Sequence, residues 1–110
     1  MMRAPGGAEM PYIRAGVNMP LIHWSIISGD ATPPNHQVYG YVVPRNVMRA
    51  EDGDIVLCHD ANKFAADYAE VYLPALEEKN ILCVTVLDLF AIRGRELPLD
   101  TFVTDCRPQP

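Results

Sequence analysis

The run "DIVLCH" at residues 54–59 is apolar without alternation. A strand with one wet face alternates; a continuous run suits a parallel strand covered on both faces. Two further runs of β-branched and apolar residues, at 20–27 and 81–86, also read as strands. Between the second and third lies the clearest helix, 64–79. There Ala65, Tyr68, Ala69, Tyr72, Leu73 and Leu76 recur on one face at the helical spacing. Pro74 sits inside that pattern and is expected to kink or split it. Residues 87–94 read as a short helix ended by Gly94. Another short helix is expected at 44–49, with Pro44 in its first turn. Residues 3–11 and 28–35 are loops by their proline and glycine content. The tail, 95–110, has three prolines and little periodicity. Strands alternating with helices mean βαβ units. The expected class is α/β, a parallel sheet of about three strands with flanking helices and right-handed crossovers.

Length and charge bound the rest. The 110 residues suit one small domain, with no internal repeat and no boundary. The net charge is −5 and the nine Lys and Arg are scattered, which argues against nucleic acid as a partner. No run approaches the roughly 18 apolar residues of a membrane span. The opening "MMRAPGGAEMP" is not a signal peptide, because no apolar stretch follows Arg3. The chain is therefore expected to stay where it is made. Cys58, Cys83 and Cys106 are odd in number and form no C-x-x-C pair. Cys58 and Cys83 lie in apolar runs and are expected to be small buried hydrophobes. A three-stranded parallel sheet leaves both edges open. With the abrupt start, this reads as a piece of something larger, or as a chain that pairs with a second copy or a complementing chain.

Chemistry is expected at strand ends. In a parallel α/β fold the turn "RAPGG", the end of the first strand and the end of the second share one face. That brings Arg3, Asp30 and His59 together. An aspartate beside a histidine raises the imidazole pKa and fixes its tautomer, which makes a general acid. Exposed N–H groups of a glycine-rich turn can hold an oxyanion. Each residue also has a plainer reading. His59 could cap a loop, Asp30 could serve its own turn, and Arg3 could be a disordered terminal residue. Trp24, Tyr68 and Tyr72 read as core packing. Cys58 and His59 point to opposite strand faces, so they do not form a nucleophile pair.

The segments "RAPGG", "WSIISGD", "GDIVLCHD" and "LPALEEKNILCVTV" resemble the carboxy-terminal half of the polysaccharide deacetylase (NodB homology) domain. The resemblance covers about residues 3–92 and is most specific at 53–60 and 73–89. It implies that residues 1–110 are a partial domain of that kind, the last βα units of a distorted (β/α) barrel. It implies metal-assisted hydrolysis of N-acetyl amides on a polymer such as peptidoglycan or chitin. By the same resemblance His59 is the general acid that protonates the leaving amine, and Asp30 the aspartate that tunes it. Arg3 orients the catalytic base, and the Gly6 N–H belongs to the oxyanion hole. Leu57 lines the acetyl pocket, and Pro5 belongs to the substrate-binding turn. A divalent metal such as Zn2+ is implied as cofactor.

The chain departs from that pattern in two ways. Ala4 replaces a proline, and Ile27 and Ala31 replace an aspartate and a tryptophan. More importantly, the Thr-Phe-Asp-Asp and His-x-x-x-His motifs that supply the base and metal ligands are absent from this sequence. The only histidines are His23, His36 and His59. A catalytic zinc needs three protein ligands. The chain alone is thus expected to be inactive or barely active. The alternatives are a non-catalytic carbohydrate-binding or assembly module, or a truncated product.

Overall fold

The computed structural model of the protein describes residues 1–8, 11–31, 36–61, 63–99 and 101–110. Parts of the expected loops, 9–10 and 32–35, lie outside the described residues. After a 3-10 turn, Pro5–Gly7, the elements run α1 (Pro11–Gly16), β1 (Leu21–Ile22), β2 (Ile26–Ile27), α2 (His36–Val47), β3 (Val56–Leu57), α3 (Ala65–Glu78), α4 (Val86–Ile92) and β4 (Phe102–Val103). The class is α/β with short parallel strands. The sheet is not one ribbon of three strands, however. β1 pairs with β4, Leu21 against Phe102 and Ile22 against Val103. β2 pairs with β3, Ile26 against Val56 and Ile27 against Leu57.

The expected strand 20–27 is therefore broken in two at Ser25. The amides of Ser25 and Ile26 both bond to the one carbonyl of Ile55, at 3.0 and 3.1 Å. Two residues facing one make a bulge-like bend. The Ser25 hydroxyl holds it, donating to Asp54 Oδ1 at 2.8 Å and accepting from the Ile55 N–H at 3.1 Å.

The expected strand at 81–86 does not form. Residues 81–85 take no regular structure, and Thr85 becomes the N-cap of α4, its Oγ1 accepting from the Asp88 N–H at 3.1 Å. β propensity needs a partner strand to act, whereas a cap is local. Gly94 ends α4 as expected. With φ of 63° it lets its own N–H reach Ala91 O and the Arg95 N–H reach Phe90 O, the paired bonds of a Schellman cap. α3 keeps its expected inner face: Tyr68 and Leu76 are buried and Ala65, Ala69 and Tyr72 half-buried, with Leu73 exposed. It runs through Pro74 as one helix. α2 is longer than the expected 44–49. It starts at His36 and carries Pro44 inside rather than in its first turn. The tail is not featureless either, since it supplies β4 and buries Cys106 completely. Cys58 and Cys83, expected inside, are exposed.

Two apolar clusters sit on opposite sides of the 54–57 backbone, as alternation dictates. Ile55 joins Ile22, Phe90, Val103 and Cys106, with Trp24 packed against them. Val56 packs on the other cluster, Val47, Ala50 and Leu76. The two clusters therefore depend on the register of one short strand. Asp54 anchors its start. Its side chain is 2% exposed and Oδ1 accepts from Arg107 Nε and Nη2, at 3.0 and 2.6 Å. Oδ2 accepts the Glu51 N–H at 2.8 Å.

Burial pushes the Asp54 carboxyl pKa up. The Glu51 amide, the Arg107 guanidinium and the Ser25 hydroxyl outweigh it and hold the pKa below the ordinary 3.8. The ionised form is the one the fold favours, so its contribution is complete above 3.8 and is lost as pH falls through the lowered folded value. Asp54→Asn should lower stability at neutral pH by about 1–3 kcal/mol. It should also flatten the acid limb of a thermal-melt series. A variant with the same acid limb as the native chain would refute that role for Asp54.

Candidate functional site

The parallel pairing of β2 with β3 places both carboxyl ends at one edge, where open α/β sheets carry ligands. The Ser28 N–H extends the ladder by one bond, to Leu57 O at 3.1 Å. The chain then turns at Gly29, whose φ of 83° is open to glycine and strained for other residues. The turn aims Asp30 back at the end of β3. Ser28 is fully buried, and its hydroxyl accepts the Asp30 N–H at 3.3 Å. From α2, Asn46 Nδ2 donates to Ser28 O at 3.0 Å.

Asp30 meets His59 twice. Oδ2 accepts the backbone N–H of His59 at 2.6 Å, and Oδ1 lies 2.8 Å from the ring Nδ1. The Asp30 side chain is 5% exposed and that of His59 37% exposed. Burial pushes the Asp30 pKa up, but the two bonds from His59, the Ser28 hydroxyl and the charge of the ring bring it below the ordinary value. An ionised carboxylate only accepts, so Nδ1 carries the hydrogen. The ring is thereby fixed in one tautomer, with a closed inner edge and Nε2 as the remaining nitrogen.

Leu57, the last residue of β3 and two residues before His59, is half-buried. Arg3, Pro5 and Gly6 belong to the turn at the start of the described chain. Arg3 and Pro5 are exposed. Gly6 has φ of 64° and open space where a Cβ would be. The turn is closed by the Gly7 N–H on Ala4 O at 3.0 Å. Gly7 is pressed onto Trp24, since a Cβ there would lie 2.5 Å from Trp24 Cη2. Trp24 in turn stacks on the His23 ring, 3.7 Å between centroids.

Sequence reasoning missed Ser28 and Asn46, which hold the Asp30 turn. Ser28-Gly29-Asp30 is visible as a turn triplet; Asn46 reaches it from a distant helix and has no local signal. Among the described residues no group of three or more His, Cys, Asp or Glu side chains could hold a metal ion. No helix among them is long and apolar enough to cross a membrane.

No family model matches the chain. Over 89 residues, 81% of the chain, it is 30% identical to the peptidoglycan-N-acetylglucosamine deacetylase PgdA of Listeria monocytogenes serotype 1/2a. The match spans 18% of that curated relative. Two solved structures share the fold. One is a T48 deacetylase with substrate, with TM-score 0.78 and 24% identity, covering 92% of this chain and 48% of that one. The other is a family 4 acetyl xylan esterase from Clostridium thermocellum in complex with a cobalt ion, with TM-score 0.82 and 17% identity, covering 94% of this chain and 51% of that one.

Proposed function

We propose that this chain, a homologue of the polysaccharide deacetylases, supplies the proton-donating side of a site that hydrolyses N-acetyl amides on a sugar polymer such as peptidoglycan or chitin. It corresponds to the last βα units of a distorted (β/α) barrel, residues 1–110 forming a partial domain. The observation that carries the reading is the double grip of Asp30 on the His59 backbone and ring. In the overall reaction water adds to the amide carbonyl, the C–N bond breaks, and acetate and a free amine leave. His59 Nε2 gives its proton to the amine nitrogen as that bond breaks, and Asp30 stabilises the ring while it is charged. The Gly6 N–H faces the oxyanion, Leu57 takes the acetyl methyl, Pro5 lies against the sugar, and Arg3 orients the base. A base and a divalent metal such as zinc belong to this chemistry, but the donors among the described residues do not fit a metal. No step here is assigned to one.

The lack of a metal-holding group among the described residues favours a second reading, a module that keeps the sugar groove without chemistry. Both readings require sugar binding. Titration of the 15N-labelled chain with an N-acetylglucosamine oligomer should shift the signals of Leu57, His59 and Gly6. Shifts elsewhere, or none, would sink both. The readings separate on acetate release, which only the catalytic one predicts once base and metal are supplied.

A further inference from the structure

The Asp30–His59 pair is steadied from α2. Asp30 follows the turn at Ser28-Gly29, and Asn46 Nδ2 donates to Ser28 O at 3.0 Å. A Cβ on Gly29 would lie 3.5 Å from the same Nδ2, so the amide lies against the turn itself. The Ser28 N–H is tied to β3 through Leu57 O at 3.1 Å, which leaves both backbone groups of Ser28 anchored. Its fully buried hydroxyl accepts the Asp30 N–H at 3.3 Å. Gly29 itself, with φ of 83°, is the residue type that restrains rotation least. The direction in which Asp30 points is therefore set by partners outside the turn. Asn46 is suited to that task, because its neighbours on α2, Val43 and Val47, are 1% and 2% exposed and fix the helix in place.

We infer that Asn46 is a positioning residue for His59: by holding the Ser28 carbonyl it aims Asp30 at the ring and keeps the hydrogen on Nδ1. The path is continuous, from Asn46 to the Ser28 carbonyl, through the turn to Asp30, and from Asp30 Oδ1 to Nδ1 at 2.8 Å. Without the Asn46 amide a carbonyl in a buried place loses its partner, and the turn relaxes to find another. The Asp30 carboxylate then faces the ring for less of the time. Its catalytic consequence rests on the proton-donor reading of His59. A ring that gives up its proton from Nε2 is left in the Nδ1–H form, so a turn that favours this form favours the transfer. Two further titratable groups feel the Asp30 charge, Cys58 just after β3 and Tyr72 of α3. Burial pushes the pKa of each above its ordinary value, so both stay neutral near pH 7 and leave Asp30 to act on the ring.

The test reads the ring itself, by the 15N signals of the His59 nitrogens at a pH where the ring is neutral. In the native chain the Nδ1–H form should dominate. In Asn46→Ala the ratio of Nδ1–H to Nε2–H should fall about 5-fold, the worth of one ordinary hydrogen bond. The Asp30 carboxyl should also titrate higher than in the native chain, as its bonds to His59 loosen. Asn46→Leu, of nearly the same shape but without the donor, should act in the same direction, so the test survives if Asn46→Ala does not fold. Gly94→Ala is the control for lost stability alone and should leave the ratio unchanged. An unchanged ratio in a folded Asn46 variant would overturn the inference. So would an Nε2–H ring in the native chain, or an equal fall in Gly94→Ala, which would mean general loosening. With a base and zinc or cobalt supplied, Asn46→Ala should lower kcat about 10-fold and leave KM nearly unchanged. A changed ring ratio together with acetate release that His59→Ala leaves intact would sink the catalytic reading alone, because the positioning of the ring is read without it.

Discussion

His59→Ala should lower acetate release from an N-acetylglucosamine oligomer by about 10²–10⁴-fold once a base and zinc or cobalt are supplied. The loss should fall on kcat and leave KM nearly unchanged, because a proton passed to the leaving nitrogen matters in the transition state and not in the bound ground state. Asp30→Asn keeps the size of the side chain but removes the charge that faces Nδ1 at 2.8 Å. It should reduce kcat less than His59→Ala does and change the pH profile, the mark of a group that acts through the ring. Equal rates for native and His59→Ala enzymes would remove His59 from the chemistry and leave it as a strand-end cap. The chain alone should release no more acetate than its His59→Ala variant.

The second large effect is on stability. Gly53→Ala should destabilise the chain by about 3 kcal/mol, lowering the melting temperature by roughly 10–20 °C. Two causes add. Gly53 has φ of 93°, a region that side chains strain to occupy. A Cβ there would also lie 2.5 Å from both Arg107 Cα and Cys106 O. These are backbone atoms, and the Cys106 N–H already bonds to Gly53 O at 2.7 Å, so they have little room to retreat. Gly94→Ala is the control. Its φ of 63° is also positive, but nothing lies within 4 Å of its Cβ position. It should lose only about 1 kcal/mol, the conformational part alone. Equal losses at the two positions would mean that the tail does not press on Gly53.

Much of the candidate site was legible because its signals are local. Gly29-Asp30 and His59 each follow an apolar run, and parallel pairing of those runs puts their ends together. The helix face of Tyr68 and Leu76 and the cap at Gly94 are likewise written in spacings of a few residues. The errors share the opposite property. Phe102–Val103 looks like tail until Leu21–Ile22 lies beside it, some eighty residues earlier. Residues 81–85 look like a strand, but the pairing that would make them one is missing among the described residues, and the Thr85–Asp88 cap prevails. Cys58 and Cys83 read as buried because their neighbours are apolar, yet both are exposed, since exposure depends on what packs over a segment.

The sequence by itself determined the α/β class, the apolar face of α3, the end of α4 and the partnership of Asp30 with His59. Each of these follows from periodicity, turn chemistry or the order of elements, which act over one or two turns of chain. Only the tertiary structure decided the split into two sheets, the strand in the tail, the Asp54–Arg107 anchor and the irregular course of 81–85. A strand exists only where another backbone satisfies its amides and carbonyls, and that partner can lie anywhere along a chain or in another one.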